Sequence, residues 1–151
     1  MKKFQFRLEP YLSYKNFLEK QAMLETAKAR NEVLECEKVI ESSQKDMRKT
    51  ARMLEKETTA GVSAEKYSMF VNYISYVESF IKAQQARREN LIMSLQEKQK
   101  KLAEKSKDKK IIENFKNRQQ EEYYFELSRE EQKENDDAIV MRHSQQKENA
   151  M

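Results

Sequence analysis

The sequence predicts an all-α fold, a long antiparallel two-helix coiled-coil hairpin with an overhanging C-terminal helix, and three observations predict it. Breakers are nearly absent, with one Gly and one Pro in 151 residues. Sheets and α/β folds need turn chemistry every few residues, which this chain cannot supply. Ala, Glu, Lys, Arg and Leu together make up 73 of the 151 residues, the share expected of a coiled coil or long helix. Finally, hydrophobic residues amount to 38%, below the ~45–50% of an ordinary globular domain. That limits the core the chain can close around itself, so one elongated helical unit over 1–151 is expected rather than a ball.

The elements follow in order. The charged start Met1-Lys2-Lys3 has no apolar stretch behind it, and no run approaches ~20 apolar residues, so neither a signal peptide nor a membrane span is expected. Pro10 is tolerated in a first helical turn, where its missing N–H costs nothing, which sets helix one at about 10–58. The segment Glu57-Thr58-Thr59-Ala60-Gly61-Val62-Ser63 joins a Gly suited to a left-handed C-terminal cap to a Ser suited to an N-cap, giving a hinge at about 59–63. Helix two then runs without a breaker over about 64–142. The polar stretch 143–151 is expected to fray.

Spacing of three and four defines the packing seams. In helix one the seam carries Leu8, Leu12, Ala22, Ala29, Val33, Cys36, Ile40, Met47 and Leu54, interrupted by Lys15, Glu19, Thr26, Ser43 and Thr50. In helix two it carries Tyr67, Phe70, Ile74, Val77, Ile81, Leu91, Leu95, Leu102 and Ile112, interrupted by Gln84, Arg88, Lys98, Lys105 and Lys109. Neither is clean enough for a permanent zipper. Folding about Gly61 pairs residues whose numbers sum to roughly 124, so Met47 meets Val77, Val33 meets Leu91 and Glu19 meets Lys105. The polar seam positions then fall together around Lys15 to Thr26 and Lys98 to Lys109. The same register brings Phe4 and Phe6 to Phe115, Tyr123, Tyr124, Phe125 and Leu127, beyond which helix two continues alone.

Charge and chemistry narrow the function classes. The net charge of +4 is the difference of 30 basic and 26 acidic residues, a bias too weak to indicate nucleic acid or a membrane surface. Helix two is nevertheless blocked, net +7 over 82–118 and net −6 over 119–137. Such blocks read either as a solvated helix face laced with i,i+4 pairs or as an overhang that docks in a partner's cavity. At the hinge end Tyr73, Tyr76 and Phe80 share a helical face beside the seam. They read as an exposed contact strip or as cover for Val62 and Leu54. The only histidine is His143, Cys36 lies on the seam as a small hydrophobe, and one glycine cannot make a phosphate loop. The lysine runs interleave with Glu97, Glu104 and Asp108 and lack stacking aromatics. No enzyme activity, metal, cofactor or nucleic-acid partner is expected, and the compartment read from cysteine usage is the cytoplasm.

The opening Phe4-Gln5-Phe6-Arg7-Leu8-Glu9-Pro10-Tyr11-Leu12, the mid-chain Gly61 followed by Tyr67, Phe70, Tyr73, Val77 and Ile81, and the ending Glu131-Gln132-Lys133-Glu134-Asn135-Asp136-Asp137 before Met141-Arg142 together resemble the FliJ family of flagellar type III export proteins, over nearly the whole chain. The resemblance implies a hairpin similar to the central stalk of rotary ATPases. It implies insertion of the free ends into the hexameric export ATPase, contact with the cytoplasmic domain of the export gate, and handling of export chaperones. The protein would then sit in the cytoplasm, peripheral to the inner-membrane export apparatus. By resemblance, the ring-facing residues are Phe4, Phe6, Leu8, Gln132, Lys133, Asp136 and Asp137, and the gate-facing residues are Tyr73, Val77 and Phe80. The side of helix one opposite the gate patch, with Ser43, Asp46 and Thr50, departs from the family in being more polar. The alternative from the residues alone is a structural coiled-coil module that dimerises through its imperfect seam, with no secretion role.

Overall fold

A computed structural model describes residues 3–151; the charged start Met1-Lys2 lies outside the described residues. Two helices, α1 (Glu9–Ala60) and α2 (Ala64–Asn149), pack against each other as an all-α hairpin, with no strand among the described residues. Helix α1 begins with an acid, Glu9, where the positive end of the helix dipole favours it, and Pro10 follows in the first turn. It ends at Gly61, whose φ of 89° is the only left-handed backbone among the described residues. The Gly61 N–H donates to the Thr58 carbonyl at 3.3 Å, satisfying one of the carbonyls left over at the end of the helix. Ser63 opens α2 as expected of an N-cap: its hydroxyl accepts from the Lys66 N–H at 3.3 Å and its carbonyl accepts from the Tyr67 N–H at 3.0 Å. Lys66 and Glu57 form an ion pair of 2.6 Å across this turn.

Packing divides the chain into two compact units, one of residues up to Leu18 with Ser106–Met151, the other Glu19–Lys105. In the second unit the buried side chains of α1 are Glu19, Thr26, Ala29, Val33, Cys36 and Ile40. These follow the 3,4 spacing of the seam without exception. Cys36 and Ile40 meet Val77 and Ile81 in the hydrophobic core, flanked by Met47 and Leu91. The core therefore sits well back from the turn. Nearer the turn no side chain of α1 is buried, and a groove of about 430 Å³ opens there, lined by Ala51, Leu54, Thr58 and Tyr67 among others.

Polar groups at the seam are accommodated by pairing. The Thr26 hydroxyl, 4% exposed, donates to the Ala22 carbonyl at 2.8 Å and reaches the Lys98 carbonyl of α2 at 3.3 Å. Lys98 pairs with Glu25 at 3.3 Å and Arg88 with Glu37 at 3.0 Å. In the first unit, Lys116 pairs with Glu9 at 2.8 Å and Lys15 approaches Asp108 at 3.9 Å. Within each unit these partners keep close to the expected register.

The end of α2 differs from expectation. The stretch 143–149, expected to fray, is helical to Asn149. It is rich in Gln, Lys and Glu, all good helix formers, and holds neither Gly nor Pro, so nothing local ends the helix. Ser144 also returns its hydroxyl to the Met141 carbonyl at 2.9 Å.

Candidate docking surfaces

In the unit that holds both ends of the described chain, residues 3–6 lie against α2 without regular secondary structure, and Arg7 and Leu8 turn into α1. Two rings anchor the segment. Phe4 packs on Tyr123 with centroids 5.6 Å apart, and Phe6 lies against Phe115 at 6.1 Å. The Lys116 ammonium stands 5.9 Å over the Phe6 ring, and the Glu9 N–H donates to the Phe6 carbonyl at 3.1 Å. Phe6 is consequently buried, at 8% exposure, and its ring holds the segment to α2. Phe4 is half-buried and Leu8 exposed, so these two keep accessible area. Beside Phe4 runs a groove of about 630 Å³ lined by Gln119, Glu122 and Glu126, among others.

The expected cover over the N-terminal rings is partial. Phe115 and Tyr123 supply it, whereas Tyr124 and Phe125 are largely exposed. Successive helical residues point about 100° apart, so Tyr124 and Phe125 turn away from the face that Tyr123 presents to Phe4. From Ser128 to the end of α2 at Asn149 every residue is exposed, including Gln132, Lys133, Asp136 and Asp137. Measured along α2, Gln132 stands roughly 14 Å beyond Tyr123.

The second unit carries the aromatic strip. Tyr73, Tyr76 and Phe80 are 43%, 69% and 37% exposed, so they form an outward surface rather than a cover for Leu54 and Val62. Val77 is different: at 6% exposure it belongs to the core, facing Cys36 and Ile40. The seam position that gives it an apolar partner also removes it from the surface. Asp46, which reads as a polar departure in sequence, accepts a short hydrogen bond from the Tyr73 hydroxyl. This bond is the main reason the Tyr73 pKa lies above its ordinary value; reduced hydration and the Asp46 charge add to it.

Sequence reasoning missed a groove next to this strip. Thr50, Met53, Lys66, Met69, Phe70 and Tyr73 line about 450 Å³, and Met53 and Met69 are among the more exposed apolar side chains of the unit. Methionine at a surface groove adapts to varied partner shapes. The available signal was Met53 standing three residues after Thr50 on α1, with Met69 beside the seam residue Phe70.

Among the described residues no group of three or more His, Cys, Asp or Glu could hold a metal, and Cys36 is buried with its thiol donating to the Gln84 carbonyl at 3.4 Å. No helix among the described residues is long and apolar enough to cross a membrane.

The chain is thus an all-α helical hairpin with exposed apolar side chains in both units and segregated charge along α2. Its residues 4–148 match the family model for the flagellar FliJ protein, and the chain belongs to that family, which is associated with type III export. Among solved structures it is similar to a protein described as a YscO homologue from Chlamydia trachomatis, with 19% identity, 97% of this chain and 99% of that chain covered, and a TM-score of 0.53. At that identity the likeness concerns the fold. No curated protein matches the chain.

Proposed function

We propose that this type III export-associated protein is the non-enzymatic central stalk of the flagellar export ATPase. It promotes assembly and activity of the hexameric ring and couples the ring to the cytoplasmic domain of the export gate and to substrate chaperones, working at the cytoplasmic face of the inner membrane. Family membership supports the pathway. The observation that carries the stalk reading is α2 from Ser128 to Asn149, a helical stretch exposed along its whole length and carrying most of the acidic block in its first half. Helical segments gain most of their stability from packing. A long exposed one is therefore suited to completing its packing in a partner.

A stalk must offer different faces to successive subunits of a ring, so weak contacts on several sides serve better than one tight patch. Gln132, Lys133, Asp136 and Asp137 meet that requirement by being polar and exposed. Phe4 and Leu8 would add apolar contact nearby. For the gate, Tyr73 and Phe80 with Tyr76 form the surface, and Val77 holds the strip from the core beneath it.

Sedimentation of purified export ATPase tests the stalk role. Adding the protein should shift the ATPase from monomer toward hexamer, and an unchanged distribution at saturating protein would refute it. The gate patch has its own test: Tyr73→Ala with Phe80→Ala should weaken binding to the gate's cytoplasmic domain at unchanged helicity.

A further inference from the structure

In a chain that is 37% charged, the stretch from Tyr67 to Ile81 holds a single charged residue, Glu78. Packing on α1 accounts for only part of this. Val77 and Ile81 are buried in the core, and the half-buried Phe70 and Ile74 share their side of α2. About 100° round the helix lies a second row, Met69, Tyr73, Tyr76 and Phe80, all four exposed. Its spacing is four, three, four, the repeat of a coiled-coil seam. Beyond it Ser68, Asn72, Ser75 and Ser79 are small, exposed and uncharged, which leaves room for a further helix to approach. Aromatic rings and methionine without charge are the composition of an interface core.

The row has the same spacing read in either direction, so two copies of α2 running antiparallel match it to itself. Met69 of each copy then faces Phe80 of the other, and Tyr73 faces Tyr76. The charges that bound the row favour this arrangement. Glu65 precedes Met69 by four residues and Arg87 follows Phe80 by seven, so both stand on the side of the row, at opposite ends. Antiparallel pairing brings Glu65 of one copy within about 4.5 Å, measured along the axis, of Arg87 of the other, and symmetry repeats the contact. Parallel pairing would set like charge on like at both ends. Lys66 and Arg88 next to them are held by Glu57 and Glu37 of α1. Glu65 and Arg87 are exposed and make no ion pair among the described residues.

We propose that this row is the interface of a reversible antiparallel dimer, in which a second copy of the chain covers Tyr73 and Phe80. Three turns of helix make a small contact, at the weak end of interfaces, so the pair forms at high concentration and opens on dilution. Pairing stands on the row and its bounding charges. Its consequence rests on the gate reading: a paired copy cannot offer the same residues to the gate, so the gate domain and the second copy compete.

Sedimentation of the full-length protein at rising concentration tests the pairing, with circular dichroism as the check on folding. Wild type should pass from monomer to dimer. Glu65→Arg and Arg87→Glu each replace two attractions by two repulsions, and each should weaken dimerisation by about tenfold. Mixed one to one, the two variants should pair with each other as wild type does, since every end contact is again between opposite charges. Met69→Ala with Tyr76→Ala should abolish the dimer at unchanged helicity. A wild type that is monomeric at every concentration refutes the pairing and leaves the gate reading intact. A dimer that survives the alanine variant, or that both charge reversals leave unchanged, belongs to another surface and refutes it as well. Added gate cytoplasmic domain should dissolve the dimer, and a complex holding the dimer and the gate domain together overturns the competition. A gate domain that fails to bind wild type overturns the gate reading and with it the competition, while the dimer stands.

Discussion

Thr26 and Lys98 are joined side chain to backbone across the hairpin, the threonine hydroxyl 3.3 Å from the lysine carbonyl and 2.8 Å from the carbonyl of Ala22 in its own helix. A hydroxyl reaches a neighbouring helix backbone only where the helices come close, and Ala22 and Ala29 beside it leave room for that. A larger apolar residue would improve the seam on paper and overfill it in fact. Thr26→Leu should destabilise the protein by about 1–3 kcal/mol, and Thr26→Val by about 1 kcal/mol through loss of the hydrogen bond. Thermal unfolding followed by circular dichroism measures both, and a stabilising leucine would contradict the close approach.

The Tyr73 to Asp46 hydrogen bond has a consequence in alkali. The carboxylate stabilises the protonated phenol, so the Tyr73 pKa lies above 10.0. The bond's contribution is fully present below the unfolded pKa and disappears as pH rises through the folded one. Titration by tyrosinate absorbance should reveal a late component that ionises above the ordinary tyrosine value. Tyr73→Phe should remove that late component, and Asp46→Ala should move it back toward 10.0. A late component surviving in both variants would mean that another tyrosine is responsible.

Gly61 has φ 89° and open space where a Cβ would stand. The cost of a side chain there is therefore backbone strain alone, and Gly61→Ala should destabilise the hairpin by roughly 1 kcal/mol. Gly61→Asn should cost less, since asparagine tolerates the left-handed region. Comparable stability of alanine and glycine variants in urea unfolding would show that the turn is made differently.

Phe6 and Phe115 form one of the two ring contacts that hold the N-terminal segment to α2. In a double-mutant cycle, Phe6→Ala and Phe115→Ala should be coupled by about 0.5–1.5 kcal/mol. Hydrogen exchange should accelerate around Leu8 to Leu12 in either single variant. Strict additivity would mean that the rings are independent.

Much of the fold is legible in the sequence because the signals are local and few. Gly61 and Ser63 mark the turn, and the 3,4 spacing from Glu19 to Ile40 identifies the buried face of α1, polar members included. The surfaces are less legible. Phe6 and Val77 have the apolar character of contact residues, yet one is consumed by Phe115 and the other by Cys36 and Ile40; only packing distinguishes an apolar residue that binds from one that supports. The Met53 and Met69 groove was hidden for a related reason, since it forms from two helices and neither contributes a motif. The persistence of α2 to Asn149 follows from the absence of a breaker, which polarity alone had outweighed.

The central claim is that the exposed end of α2 acts on the export ATPase. Its most direct test is the ATP hydrolysis rate of the purified export ATPase, measured against added full-length protein and against a chain ended after Ser128, which keeps Tyr123 under Phe4. The account predicts stimulation by the full-length protein and none by the shortened chain, with both equally helical per residue. Equal stimulation by the two would contradict it.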